Sequence, residues 1–152
     1  MNPNPAAFAI LMADDDPDDR LLAKMALSKS RLANPLLFVE DGEELLEYLQ
    51  RRGKYEDPER SPQPGLILLD LNMPRKSGYE ALREIKNDPD LKRIPVVIMT
   101  TSEADEDVVK SYDLGANSYI TKPITLNGLV EVMQQLGRYW FEITALPSER
   151  KG

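Results

Sequence analysis

The chain is 152 residues long, which fits a single domain and allows roughly two-thirds of the unfolded surface to be buried without a disulfide or metal staple. It contains neither Cys nor His, which excludes disulfides, thiolate and imidazole metal sites, cysteine nucleophiles, Ser-His-Asp triads and a phosphohistidine carried by this chain. The net charge of −7 argues against nucleic acid as a partner, since that binding depends on neutralising phosphates, and against anionic membrane surfaces. The start of the chain, Met1-Asn2-Pro3-Asn4-Pro5, lacks the basic and apolar regions of a signal peptide. No apolar run approaches the ~20 residues of a membrane span. A cytoplasmic protein is expected.

Short apolar runs alternate with helical patterns. Phe8–Ala13 reads as a strand buried on both faces. Asp16 is placed to cap a helix with Pro17 at its first position, and Leu21, Leu22, Met25 and Leu27 supply an apolar stripe. Leu36–Val39 is a second strand, followed by a helix with Leu45, Leu46 and Leu49 on one side. Residues 53–64 are charged and hold three prolines, which predicts an exposed loop. Gly65–Leu69 is a third strand and runs into Asp70. The helix after the Pro74–Gly78 turn carries Tyr79, Leu82 and Ile85 and stops near Asn87. Pro95–Met99 is a fourth strand, ending at Thr100. Ser102 is placed to cap a helix that Gly115 terminates near Leu114. Ser118–Thr121 is a fifth strand, and a last helix runs from about Thr125 to beyond Trp140.

Five strands alternating with five helices predict an α/β fold: a doubly wound, five-stranded parallel sheet of order 2-1-3-4-5, flavodoxin-like. Residues 1–6 are expected to be disordered, residues 7–143 to form the domain and residues 144–152 a tail. In such sheets ligands bind beyond the carboxyl ends of the strands, where the strand order reverses. The residues at those ends are Asp14 and Asp15, Asp70, Thr100 and Lys122.

Acids on adjacent strands, about 5 Å apart, repel unless a cation compensates. Lys122 offsets one of the three charges of Asp14, Asp15 and Asp70, and a divalent ion would offset the other two. Oxygen ligands without His or Cys suit Mg²⁺ rather than zinc. A carboxylate beside Mg²⁺ is a plausible phosphoryl acceptor. Asp70 is the natural nucleophile, with Lys122 and the Thr100 hydroxyl each able to hold a phosphoryl oxygen. Taken singly, each residue has a plainer reading: the run Asp14–Asp19 as charges at a helix N-terminus, Asp70 as the start of a turn, Lys122 as a surface lysine. Their coincidence at one edge of one sheet favours the chemical reading.

At these residues the chain resembles the receiver domain of two-component response regulators. The resemblance spans about residues 7–143. It rests on Asp14-Asp15, on Leu68-Leu69-Asp70-Leu71-Asn72-Met73-Pro74 followed by Gly78, on Thr100, and on Lys122-Pro123 with Tyr119 three residues before the lysine. It implies that Asp70 accepts a phosphoryl group from the phosphohistidine of a sensor histidine kinase. It also implies Mg²⁺ bound by Asp15, Asp70 and the Asn72 carbonyl with help from Asp14. Lys122 would pair with Asp70 and then with the phosphoryl oxygen, while Thr100 and Tyr119 act as the switch pair. A cis Lys122–Pro123 bond that aims the lysine is typical of the family. Thr101 stands where a smaller residue is common, which implies slow loss of the phosphoryl group. The loop at 51–55, the stretch Asn87–Pro95 and the ending Tyr139-Trp140-Phe141 resemble small regulators partnered with bacterial phytochromes, so the kinase could be a red-light photoreceptor.

No output module is expected after the last helix, so signalling would run through protein–protein contact rather than catalysis of a substrate. Leu126, Leu129, Val130, Met133, Leu136 and Trp140 follow helical spacing toward the sheet. Val132, Tyr139 and Phe141 do not all fit that stripe and imply either packing by the chain's own tail or a homodimer through the fourth and fifth helices. Two other functions compete. A phosphohydrolase with an Asp nucleophile would usually carry a second acid two residues on, where this chain has Asn72. A receiver that only binds would have lost some of the acids, the threonine or the lysine, all of which are present.

Overall fold

The computed structural model describes residues 8–30 and 34–138. The expectations for residues 1–6 and 144–152, for the last helix as far as Trp140, and for Tyr139 and Phe141 lie outside the described residues. Eleven elements follow in order: β1 (Ala9–Ala13), α1 (Pro17–Lys29), β2 (Leu36–Val39), α2 (Gly42–Leu49), a 3-10 turn (Gly53–Tyr55), β3 (Pro64–Leu69), α3 (Gly78–Asn87), β4 (Val96–Thr100), α4 (Asp105–Asp113), β5 (Ser118–Thr121) and α5 (Leu126–Gly137). The strands form one parallel sheet of order β2-β1-β3-β4-β5, as the alternation predicts.

The period-two rule of strands divides the apolar side chains between two cores. Leu11, Ala13, Ile67, Leu69 and Ile98 face α2 and α3, meeting Leu45, Leu82 and Ile85. Ile10, Met12, Leu68, Val97 and Met99 face α1 and α5, meeting Ala26 and Met133. The three inner strands are buried along their whole length, which is why they read as continuous apolar runs rather than alternating ones.

Asp16 accepts the N–H of Asp18 as the cap of α1, with Pro17 at the first helical position. The apolar stripe of α1 differs from expectation. Ala23, Ala26 and Leu27 are buried and Leu22 half-buried, whereas Leu21 and Met25 are exposed at 59% and 42%. Helical spacing from Ala23 through Ala26 and Leu27 to the buried Ser30 defines the inner face, and small residues there let α1 lie close to the sheet and α5.

Ser102 does not cap α4. The helix starts at Asp105 after Ala104, which offers no side-chain cap, and the Ser102 hydroxyl turns instead to Asp107. Gly115 ends α4 as expected, at φ +105. The loop after α2 is mostly exposed, but Ser61 and Pro64 are buried and the Tyr55 ring packs at a tilt against Tyr48 with ring centroids 5.0 Å apart. Among the described residues, no helix is long and apolar enough to cross a membrane.

Candidate functional site

Backbone pairing brings the candidate residues to one edge of the sheet. The Asp14 N–H donates to the Val39 carbonyl (3.0 Å), the Asp70 N–H to Ala13 (3.1 Å) and the Lys122 N–H to Thr100 (2.7 Å). Strand register therefore delivers Asp14, Asp70, Thr100 and Lys122 side by side. Asp14, Asp70 and Thr100 are buried, at 1%, 8% and 0% exposure. Asp15 is exposed, but one oxygen from each of Asp14, Asp15 and Asp70 lies within 4.8 Å of the others.

The Lys122 ammonium sits among these acids. Its Nζ lies 2.6 Å from Asp14 Oδ2, 2.8 Å from Asp70 Oδ2 and 2.7 Å from Asp19 Oδ2. Burial alone would lower its pKa, but hydrogen bonds to the three carboxylates overcome this and raise it above the usual lysine value. Asp14 is raised, chiefly by burial, against the opposing hydrogen bonds from Lys122 and the Asp16 N–H and with the charge of Asp70 adding to the rise. The Arg20 guanidinium donates to the Asp14 carbonyl at 2.8 Å, tying α1 to the end of β1. The Lys122–Pro123 peptide is trans, because no described peptide bond is cis; the expected cis bond is corrected, and the lysine reaches its partners from the trans backbone.

The segment after Asp70 is held rigidly. Leu71 and Met73 enter the core, which turns the intervening Asn72 outward, and the Asn72 N–H donates to Asp70 Oδ1 at 3.1 Å. The Gly42 N–H donates to the Lys76 carbonyl (3.0 Å), and Arg75 pairs with the buried Asp41 at 2.9 Å. At Gly78 a Cβ would sit 2.2 Å from the Asp70 carbonyl oxygen, so only glycine allows α3 to begin this close to the strand end.

Thr100 Oγ1 is buried without a hydrogen-bond partner, an orphaned hydroxyl at the strand end beside Asp70. Tyr119 donates its hydroxyl to the Ser102 carbonyl (2.9 Å). Two features were not foreseen from the residues. Asp19 is a third partner of Lys122, and a chain of hydrogen bonds joins Tyr79, Asp107 and Ser102, linking α3, α4 and the loop that also holds Tyr119. The Asp19 contact has no signal in its spacing, because α1 begins at Pro17 and Asp15 lies outside the helix.

The donor set is all oxygen, carries more carboxylates than its single ammonium can balance, and includes an exposed member. These residues fit a hard divalent cation that keeps part of its water shell. The chain matches the response regulator receiver domain family over residues 10–134. It is 43% identical to response regulator Rcp1 of Synechocystis sp. over 145 residues, covering 95% of this chain and 96% of that protein. The phosphorylated cyanobacterial phytochrome response regulator RcpA superposes with a TM-score of 0.86 at 41% identity, covering 93% of this chain and 99% of RcpA. The Mn²⁺-bound form of Rcp1 gives 0.82 at 43% identity with the same coverage. With the sheet order, the acid cluster and the strand-end lysine in agreement with that match, the chain belongs to the response regulator receiver domain family.

Proposed function

We propose that Asp70 accepts a phosphoryl group from the phosphohistidine of a sensor histidine kinase and that the protein signals the event by protein–protein contact. The observation that carries this reading is the Lys122 ammonium, 2.6 Å from Asp14 and 2.8 Å from Asp70, at the sheet edge where the orphaned Thr100 hydroxyl also ends. A carboxylate oxygen of Asp70 forms the bond to phosphorus, and the imidazole nitrogen of the donor leaves with the electron pair of the bond that breaks. Lys122 balances charge on the equatorial oxygens, and the Thr100 hydroxyl has a free donor for one of them. Asp14, Asp15, Asp70 and the Asn72 carbonyl would hold Mg²⁺, which when bound supplies the positive charge that lets an anionic donor approach these acids. Thr100 and Tyr119 form the switch, with Tyr119 exchanging its Ser102 contact for an inward position.

The similarity to RcpA, a phytochrome response regulator, supports a phytochrome photoreceptor as the kinase. A homodimer through α4 and α5 is supported by Val109 and Tyr112, exposed at 58% and 48%, beside a cavity of about 570 Å³ lined by Tyr112, Ile120, Val132 and Leu136.

Acetyl phosphate with Mg²⁺, followed by intact-mass measurement, tests the central step. The wild type should gain a phosphoryl group of about 80 Da, and Asp70→Asn should gain none. Continuous release of free phosphate without an adduct would instead indicate a hydrolase, and neither adduct nor release would indicate a domain that only binds.

A further inference from the structure

Lys122 Nζ donates to Asp19 Oδ2 at 2.7 Å and to Asp70 Oδ2 at 2.8 Å, and it forms an ion pair with Asp14 Oδ2 at 2.6 Å. A phosphoryl oxygen on Asp70 has to compete with these carboxylates for the one ammonium. The three are not equally easy to release. The Asp14 side chain is 1% exposed, and losing its cation would leave a buried charge uncompensated, which is costly. Asp70 is itself the acceptor, and its side chain is 9% exposed. The Asp19 side chain is 34% exposed and can return to water at small cost, as exposed ion pairs do.

We propose that Asp19 is a positioning residue: a detachable carboxylate that holds Lys122 over the site in the resting protein and competes with the phosphoryl group for the ammonium. The inference rests on the proposed function and adds a residue to it. Asp19 makes and breaks no bond. The oxygen–phosphorus bond forms at Asp70, the leaving group departs with its electron pair, and Asp19 is displaced from Lys122 as a phosphoryl oxygen takes its place. The plainer role of Asp19 is that of an acid in the first turn of α1, favourable to the helix dipole. That role is structural, and its loss would lower stability without speeding the chemistry.

The experiment compares wild type, Asp19→Asn and Asp19→Glu with acetyl phosphate at saturating Mg²⁺, reading the rate of adduct formation by intact mass. Fluorine NMR gives the concentration of beryllofluoride, a phosphoryl stand-in, that half-saturates each protein, and urea unfolding gives their stabilities. Asp19→Asn should form the adduct about fivefold faster, the effect of releasing one partly exposed ion pair, and should bind beryllofluoride more tightly. Asp19→Glu keeps the charge and should behave as the wild type, and neither variant should unfold at higher urea. A labelled wild type with Asp19→Asn equal or slower overturns the role of Asp19 alone. A wild type that takes no phosphoryl group overturns the proposed function, and this inference with it.

Discussion

Lys122 faces more negative charge than it carries. Asp14, Asp19 and Asp70 each lie within salt-bridge distance of one ammonium, and Asp15 stands close to two of them. Function here is obtained against stability, because a like-charged cluster with two buried members, the deeper being Asp14 at 1% exposure, raises the free energy of the fold. Asp14→Asn removes that buried charge at nearly constant shape and leaves Lys122 paired with Asp19 and Asp70. The variant is expected to unfold at a higher urea concentration than wild type in Mg²⁺-free buffer and to bind Mg²⁺ more weakly by calorimetry; a lower midpoint would show that the cluster is not strained. Strand-end residues were legible in the sequence because a parallel strand ends where its apolar run ends, so Asp14, Asp70 and Thr100 could be aligned by counting. Asp19 was not, because its reach to Lys122 depends on how α1 rolls on the sheet, and that roll is set by Ala23 and Ala26 rather than by the larger Leu21 and Met25.

The loop between α2 and β3 shows how an element of low apolar content is held. Tyr55 donates its hydroxyl to Glu44, and Lys54 lies 3.1 Å from the same oxygen. Burial acts to raise the pKa of Glu44, but the hydrogen bonds from Tyr55, the Glu40 N–H and Lys54 outweigh it, so the carboxyl is held below its ordinary value. Tyr55, by burial and by the same bond to Glu44, is pushed up to about 12. A depressed carboxylate stabilises the fold above its unfolded pKa and loses that contribution as pH falls through the folded value. Glu44→Gln should therefore cost about 0.2–1 kcal/mol at neutral pH, the range of partly exposed pairs. The difference from wild type in urea midpoint should close as pH falls below the carboxylate range; a gap that persists in acid would remove the charge from the explanation. Proline content made this loop legible as a loop, but its anchoring depends on tertiary contacts between Tyr48, Tyr55 and Glu44 that no local pattern encodes. The start of α4 departs from the local pattern for a related reason. A serine before a helix is a local capping signal, but the Ser102 hydroxyl is drawn to Asp107, which Tyr79 holds from α3.

Across the whole molecule, the regular alternation of buried strands and amphipathic helices was enough to specify strand order, because right-handed crossovers leave few ways to arrange five parallel strands. The same arrangement puts β1 and β3 side by side at the point where the winding reverses, so Asp14 and Asp70 meet as a consequence of topology. Gly78 and the paired Arg75 and Asp41 then hold the segment beyond Asp70 close to that edge. The central claim is that this architecture makes one carboxylate, and no neighbouring one, a phosphoryl acceptor. Borohydride reduction of the protein treated with acetyl phosphate and Mg²⁺, followed by peptide mapping, tests it most directly, since an acyl phosphate is reduced to the alcohol where the phosphoryl group was attached. The account predicts homoserine in place of Asp70 alone; reduction at Asp14, Asp15 or Asp19, or at no position in protein carrying the added mass, would contradict it.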